Sequence, residues 1–209
     1  MTAPHHAGAR IHPTALVEDG VEIGAGTSVW DAVHIRGPGT RIGRDCIVGE
    51  KTYIAYGVQI VDRVKINAQV YICTGITIDD RVMIAAGVIF TNDRYPRAFV
   101  DGTEGLAPSG VTDETLTGRV GVGATIGAGA LLGPGVEIGA YAMVGMGAVV
   151  TATVPAHGLV VGNPARLRGY VCVCGLPLPG VEAGAVSCGR CGRGYRLVAA
   201  PDGPTLRRS

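Results

Sequence analysis

The stretch Val120-Gly121-Val122-Gly123-Ala124-Thr125-Ile126-Gly127-Ala128-Gly129-Ala130-Leu131-Leu132 sets an aliphatic residue at every sixth position, with glycine after Val120 and Ile126. The spacing runs on through Ile138, Val144 and Val150. Toward the N-terminus, Ile42, Val48, Ile54, Ile60, Ile66, Ile72, Ile78, Ile84 and Phe90 keep it. Ile11, Val17, Ile23, Val29 and Ile35 form an earlier run, one residue out of step with Ile42. A period of six fits neither an amphipathic helix nor an ordinary alternating strand. A fixed self-similar period marks a solenoid, and the hexapeptide period marks a parallel β-helix.

The neighbours of each anchor follow a code. Two residues before it stands something small or branched: Val21, Thr27, Val33, Thr40, Cys46, Thr52 and Val58 in the first stretch, Ala124, Ala130 and Ala142 later. Both positions are expected to point inward, as alternation along a short strand requires. The residue after the anchor is often Gly, as at Gly24, Gly43, Gly49, Gly127, Gly139 and Gly145. That slot is read as the corner where the chain takes left-handed angles, with Asn67 and Asp79 tolerating the same conformation. Arg36-Gly37-Pro38-Gly39-Thr40 supplies the extra residue between Ile35 and Ile42, at a corner built for it.

Composition agrees. Hydrophobic residues make up 47% of the chain but aromatics only 5%, which suits a narrow prism of stacked Ile, Val and Leu. The formal net charge of +1 gives no support to a nucleic-acid or anionic-membrane partner. No signal-peptide pattern and no membrane-length apolar run is read, so membrane insertion is not expected. Six cysteines in a chain read as cytoplasmic favour metal binding over disulfides.

The chain divides into a loose N-terminus (1–10), a β-helix (11–166) and a small Cys-rich tail (167–209). Within the β-helix, 91–119 interrupts the period and holds no repeat. Insertions of that length in a compact architecture are usually functional. This one opens with Thr91-Asn92-Asp93-Arg94-Tyr95-Pro96-Arg97, dense in donors and charges.

The hexads resemble those of the hexapeptide-repeat acyltransferases, as does the closing phrase Val160-Val161-Gly162-Asn163-Pro164-Ala165-Arg166. Phe90 to Arg97, with Ser28-Val29-Trp30 and His34-Ile35, resembles the nucleotide-sugar N-acetyltransferases that acetylate 3-amino sugars for surface polysaccharides. The resemblance implies an all-β fold, a left-handed parallel β-helix with a small Cys-rich module appended. It also implies a cytoplasmic homotrimer that binds acetyl-CoA between subunits, with the inserted loop reaching toward a neighbour. The implied reaction is acetyl transfer from acetyl-CoA to the amine of a nucleotide-linked sugar. The alternatives are acyl transfer to another small amine or hydroxyl, and a non-catalytic scaffold. A γ-type carbonic anhydrase shares the fold but needs closely spaced His ligands, which this chain lacks.

The loop 91–119 contains no His, so the His-base route of many relatives has no candidate there. The 3-amino-sugar relatives imply Asn92 as the residue that orients the reacting groups, the departing CoA thiolate taking the proton. Asp93 is the rival, as a carboxylate base. His34, Arg94, Tyr95 and Arg97 are candidates for the nucleotide sugar, the arginines because their guanidinium groups bind phosphate and carboxylate bidentately. His34 stands one residue before an anchor and is expected to face outward. For CoA, the family pattern implies backbone groups at Gly127, Gly145 and Ala148, where small residues let the pantetheine arm approach the main chain, and Arg166 for a phosphate.

In the tail, Cys172-x-Cys174 and Cys188-x-x-Cys191 make two close pairs. Four thiolates so paired suit a tetrahedral structural zinc in a zinc-ribbon-like unit, with iron as the lesser alternative. Cys46 and Cys73 read as structural, and His157, in the closing turn, likewise.

Overall fold

The computed structural model describes residues 6–100, 102, 104–107, 111–199 and 204–208. Two-residue strands separated by turns wind into a three-sided prism. Successive strands go to faces A, B and C in turn. Face A holds nine strands, face B seven and face C six. Within each face the solenoid strands pair in parallel, as Lys65 with Met83, Tyr53 with Tyr71, and Gln59 with Thr77. Each full coil climbs one strand spacing, about 4.8 Å.

The anchors fill the prism. Ile35, Ile54, Ile72, Ile84 and Ile126 are fully buried, and from Ile23 onward every anchor is in the core. Only Ile11 and Val17, in the first coil, are partly exposed. The inward slots two residues earlier are buried as well, including the hydroxyls of Thr27, Thr40 and Thr52. Thr27 donates to the Gly43 carbonyl at 2.7 Å and accepts from the Cys46 N–H at 3.0 Å. Thr52 likewise donates to Asn67 O at 3.1 Å. A buried hydroxyl is tolerated when its hydrogen bonds are made, and here each also satisfies a corner carbonyl of the next coil.

The extra residue at 36–39 is absorbed in a single corner between faces B and C. Across it Glu22 pairs with Arg41 and His34 with Tyr53, one residue further apart than Tyr53 and Tyr71. A Cβ at Gly37 would collide with the Asp19 carbonyl oxygen. Gly37→Ala is therefore expected to destabilise by about 1–3 kcal/mol, the usual cost of overpacking. Denaturant unfolding checks this, and an unchanged midpoint would show that the corner yields freely.

The corner code differs from the expectation in one respect. The glycines that follow the anchors do not have positive φ, and neither do Asn67 and Asp79. Left-handed residues stand three positions after the anchor instead: Gly26, Asp45, Lys51, Arg63, Gln69, Arg81, Gly129 and Gly147 among them. What the glycine after the anchor supplies is proximity. A Cβ on Gly127 would lie 2.6–2.7 Å from the backbone of Val144, Gly145 and Met146 in the next coil.

The chain leaves the prism after Phe90 and returns with Gly118-Arg119-Val120 paired to Ile76-Thr77-Ile78. Gly118 and Arg119, placed in the insertion by the sequence reading, already belong to the sheet. Register survives the excursion, since Ile89 pairs with Leu131 and Phe90 with Leu132. At the far end Gly158–Val161 extends face A, and Arg166–Tyr170 folds back antiparallel on it. That strand crosses the 166/167 division and carries the chain into the tail. The tail contains a three-stranded antiparallel sheet of Val186–Ser187, Gly194–Val198 and Thr205–Arg208. Its own small core holds Tyr170, Cys172, Leu178, Val181, Cys188, Tyr195 and Leu206.

Candidate active site

Face B and its border with face C collect most of the reactive side chains. Because each coil presents the residue before its anchor outward, Leu16, His34, Tyr53, Tyr71, Ile89 and Leu131 stack in one outward column. The His34 ring meets Tyr53 edge-on at 5.4 Å, and Tyr53 stacks on Tyr71 at 5.2 Å. Tyr53 and Tyr71 escaped the sequence reading. They occupy the same hexad slot as His34 one and two coils on, a signal visible once the coil length is known.

At the lower end, Glu18 gathers a polar cluster. His34 Nε2 donates to Glu18 Oε1 at 2.8 Å, the Arg36 guanidinium pairs with it at 2.6 Å, and the Gly37 N–H donates to Oε2 at 3.1 Å. Arg36 also donates to the Tyr53 hydroxyl at 3.2 Å and lies over the Tyr56 ring. His34 is thereby oriented with Nδ1 turned away from the carboxylate. The hydrogen bond from His34, followed by Arg36 and the Gly37 amide, holds the Glu18 carboxyl down at about 2.

A depressed carboxylate stabilises the fold at pH above its unfolded value and loses that contribution as pH falls through the folded one. The stability gap between the protein and Glu18→Gln should close as pH falls from about 5 to 2. Urea unfolding of both proteins across that range tests it; a gap that does not narrow with acid refutes the ionic contribution.

At the upper end, Asn92 is partly buried where the loop departs. Its Nδ2 donates to Thr74 O at 3.2 Å, and its own carbonyl accepts from the Leu116 N–H at 3.0 Å, closing the neck of the loop. Thr91 Oγ1 donates to Leu132 O at 3.0 Å. Asp93 is exposed near Tyr71 and Cys73. Burial pushes the Cys73 thiol up to about 12, which removes it as a nucleophile and agrees with its structural reading. Arg94, Tyr95 and Arg97 are exposed, Tyr95 at 79%. Further along the loop Phe99, Leu106 and Val111 are exposed too, an unusual amount of apolar surface for one segment.

His34 and Asn92 are not in contact. They lie at opposite ends of the His34–Tyr53–Tyr71 column, three coils or about 14 Å apart. The CoA candidates lie elsewhere again. Gly127 and Gly145 are stacked at the corner between faces A and B, the opposite edge of face B from Asn92. Ala148 is fully buried, its N–H bonded to Gly145 O and its carbonyl to the Leu131 N–H. It is prism wall, which removes its side chain from any CoA contact. Arg166 is exposed and donates to the carbonyl of its neighbour Ala165.

The tail brings its four cysteines together. All four Sγ atoms lie within 4.8 Å of one another. His157, in the closing turn, is buried and bonds to Val171 O through Nδ1 at 2.9 Å, the structural role expected of it.

The comparisons with known proteins agree with this architecture. A family model described as the hexapeptide repeat of succinyl-transferase matches residues 39–73 and 119–152. The dTDP-3-amino-3,6-dideoxy-alpha-D-galactopyranose 3-N-acetyltransferase of Aneurinibacillus thermoaerophilus is 39% identical over 76 residues, 36% of this chain and 38% of that one. Among solved structures, the UDP-N-acetylglucosamine acyltransferase of Francisella novicida aligns over 79% of this chain and 67% of its own, with a TM-score of 0.51 at 16% identity. The acetyltransferase domain of PglB from Neisseria gonorrhoeae FA1090, solved with acetyl coenzyme A, aligns over 77% of this chain and 57% of its own, with a TM-score of 0.45 at 21% identity. The chain thus spans little over a third of the curated relative and somewhat more than half of the PglB chain. Over residues 39–73 and 119–152 the solenoid thus carries the hexapeptide repeat that the family model describes.

Proposed function

We propose that this protein is an acetyl-CoA-dependent N-acetyltransferase acting on the amine of a nucleotide-linked 3-amino sugar. One observation carries the reading. The solenoid keeps register across a long excursion whose neck is tied by Asn92 to Thr74, at the head of an aromatic column. A scaffold has no use for that arrangement. The acceptor class follows the amino-sugar N-acetyltransferase to which part of the chain is similar.

In this reaction the neutral amine attacks the thioester carbonyl. A C–N bond forms, the C–S bond breaks, and the ammonium proton passes to the leaving thiolate. With Nδ2 committed to Thr74, Asn92 presents Oδ1, an acceptor. It suits an amine N–H, fixing the lone pair toward the thioester. Asp93 beside it is the alternative proton acceptor. The exposed flank of the Tyr53–Tyr71 stack suits a base or sugar, and His34 marks the far end of the same track. Arg94 and Arg97 suit the diphosphate.

The two edges of face B supply different halves of the chemistry, Asn92 on one and the Gly127–Gly145 corner on the other. A homotrimer would bring one edge against the other between subunits, with the apolar loop residues covered by a neighbour. CoA would then run along the glycine corner, with Arg166 near a phosphate. Both co-substrates belong to the cytoplasm, where we place the enzyme. No helix among the described residues is long and apolar enough to cross a membrane. The tail cysteines suit zinc rather than a redox cofactor.

Thiol release from acetyl-CoA, followed against a panel of UDP- and dTDP-linked 3-amino sugars, tests the reading. Release dependent on one amino sugar is expected. Absence of release across the panel, from protein that binds CoA, points to another acceptor; absence of both release and binding points to the scaffold.

A further inference from the structure

We propose that Cys172, Cys174, Cys188 and Cys191 bind one zinc ion, that the Tyr195 hydroxyl is a built-in hydrogen-bond donor to this centre, and that the centre clamps the tail onto the closing coils of the solenoid. Cys172 and Cys191 Sγ are 3.4 Å apart, and Cys174 and Cys188 Sγ 3.6 Å. These separations exceed a disulfide bond of about 2.05 Å. They approach the edge of about 3.8 Å that a tetrahedron with Zn–S of about 2.3 Å requires.

The backbone is already wrapped around the sulfurs. Gly175 and Gly192 have φ of 84° and 70°, and their N–H groups donate to Cys172 O and Cys188 O, one turn behind each pair. The Cys174 N–H points at Cys172 Sγ at 3.5 Å. Arg190 donates to Cys174 O at 3.2 Å, which brings positive charge to a centre whose four thiolates outweigh a divalent ion.

Tyr195 supplies an independent observation. It is wholly buried, and its hydroxyl accepts the Val173 N–H at 3.2 Å. The hydroxyl lies 3.1 Å from Cys172 Sγ, and toward a thiolate, which has no proton, it is the donor. A sulfur that receives this hydrogen bond acts as an acceptor, the state of a metal-bound thiolate. The same residue reaches the solenoid. Its ring meets His157 edge-on at 5.7 Å, His157 stacks on Tyr141 at 5.3 Å, and His157 and Val171 exchange hydrogen bonds of 2.8 and 2.9 Å. A tail this small needs a staple to stay folded, and the chain of contacts transmits that order to the last coils.

The thiols are in the tail, apart from Asn92, and the test needs no turnover. Metal analysis of the purified full chain should find about one zinc per chain, and Cys174→Ser should lose most of it. Tyr195→Phe should keep zinc but weaken its affinity by roughly tenfold to a hundredfold in chelator competition. Stripping zinc from the wild-type protein should open tryptic sites at Arg190 and Arg193 while the solenoid stays protected. Less than a tenth of an equivalent of zinc, iron in its place, or stripped protein with an unaltered digest and melting curve would overturn the proposal. Unchanged affinity in Tyr195→Phe would remove Tyr195 from it.

Discussion

Asn92→Ala is expected to lower kcat/KM for the amino-sugar acceptor by about 10²- to 10³-fold, the loss seen when one preorganised polar contact to a reacting group is deleted. The melting curve should barely move, because Asn92 is only partly buried and, among the described residues, its side chain is hydrogen-bonded to Thr74 O. The loop neck keeps its other ties, Leu116 N–H to Asn92 O and Thr91 Oγ1 to Leu132 O, neither of which uses the Asn92 side chain. Asp93→Asn separates the two proton routes. If the thiolate takes the proton, this variant loses less than about tenfold and keeps its pH profile. A carboxylate base would instead cost about 10²- to 10⁴-fold and abolish the acidic limb. Steady-state rates of thiol release for both variants decide, and unchanged kinetics in Asn92→Ala would take that residue out of the mechanism.

The prism was legible because its rule is local. Each anchor declares its direction through the residues two before and one after, so a few coils suffice to identify the rest. The corners were less legible. A glycine can serve a left-handed angle or a close approach, and the letter does not say which. Gly127 turned out to need proximity, while Arg63, Gln69 and Tyr141 carry the positive φ with ordinary side chains. Residues whose part depends on another coil were harder still. Glu18 has no motif of its own, yet it organises His34 and Arg36 from the neighbouring coil. Tyr195 reads as one more strand residue until the fold sets its hydroxyl on Cys172. Ala148 shows the same ambiguity, since small size suits a ligand groove and a packed wall equally well, and its side chain lies in the wall.

Phe90→Ala should give the largest loss of stability among single substitutions at the site, about 3–5 kcal/mol. Phe90 is the one aromatic anchor, 2% exposed, and it fills the last coil before the chain departs. Removing its ring leaves a cavity that stacked aliphatic neighbours, fixed by parallel pairing on every side, cannot collapse to fill. The substitution also differs from one deeper in the stack. Asn92 is two residues away, and its bond to Thr74 depends on the Phe90 strand holding its register against Leu132. Turnover should therefore fall along with stability in Phe90→Ala, whereas Ile54→Ala, some two coils lower, should lose about 2–5 kcal/mol with kcat retained. Phe90→Leu, keeping most of the volume, should recover much of both losses. Denaturant unfolding beside kcat at a temperature where each variant is folded makes the comparison. Equal kcat in Phe90→Ala and Ile54→Ala would show that the loop holds its catalytic geometry without the anchor beneath it.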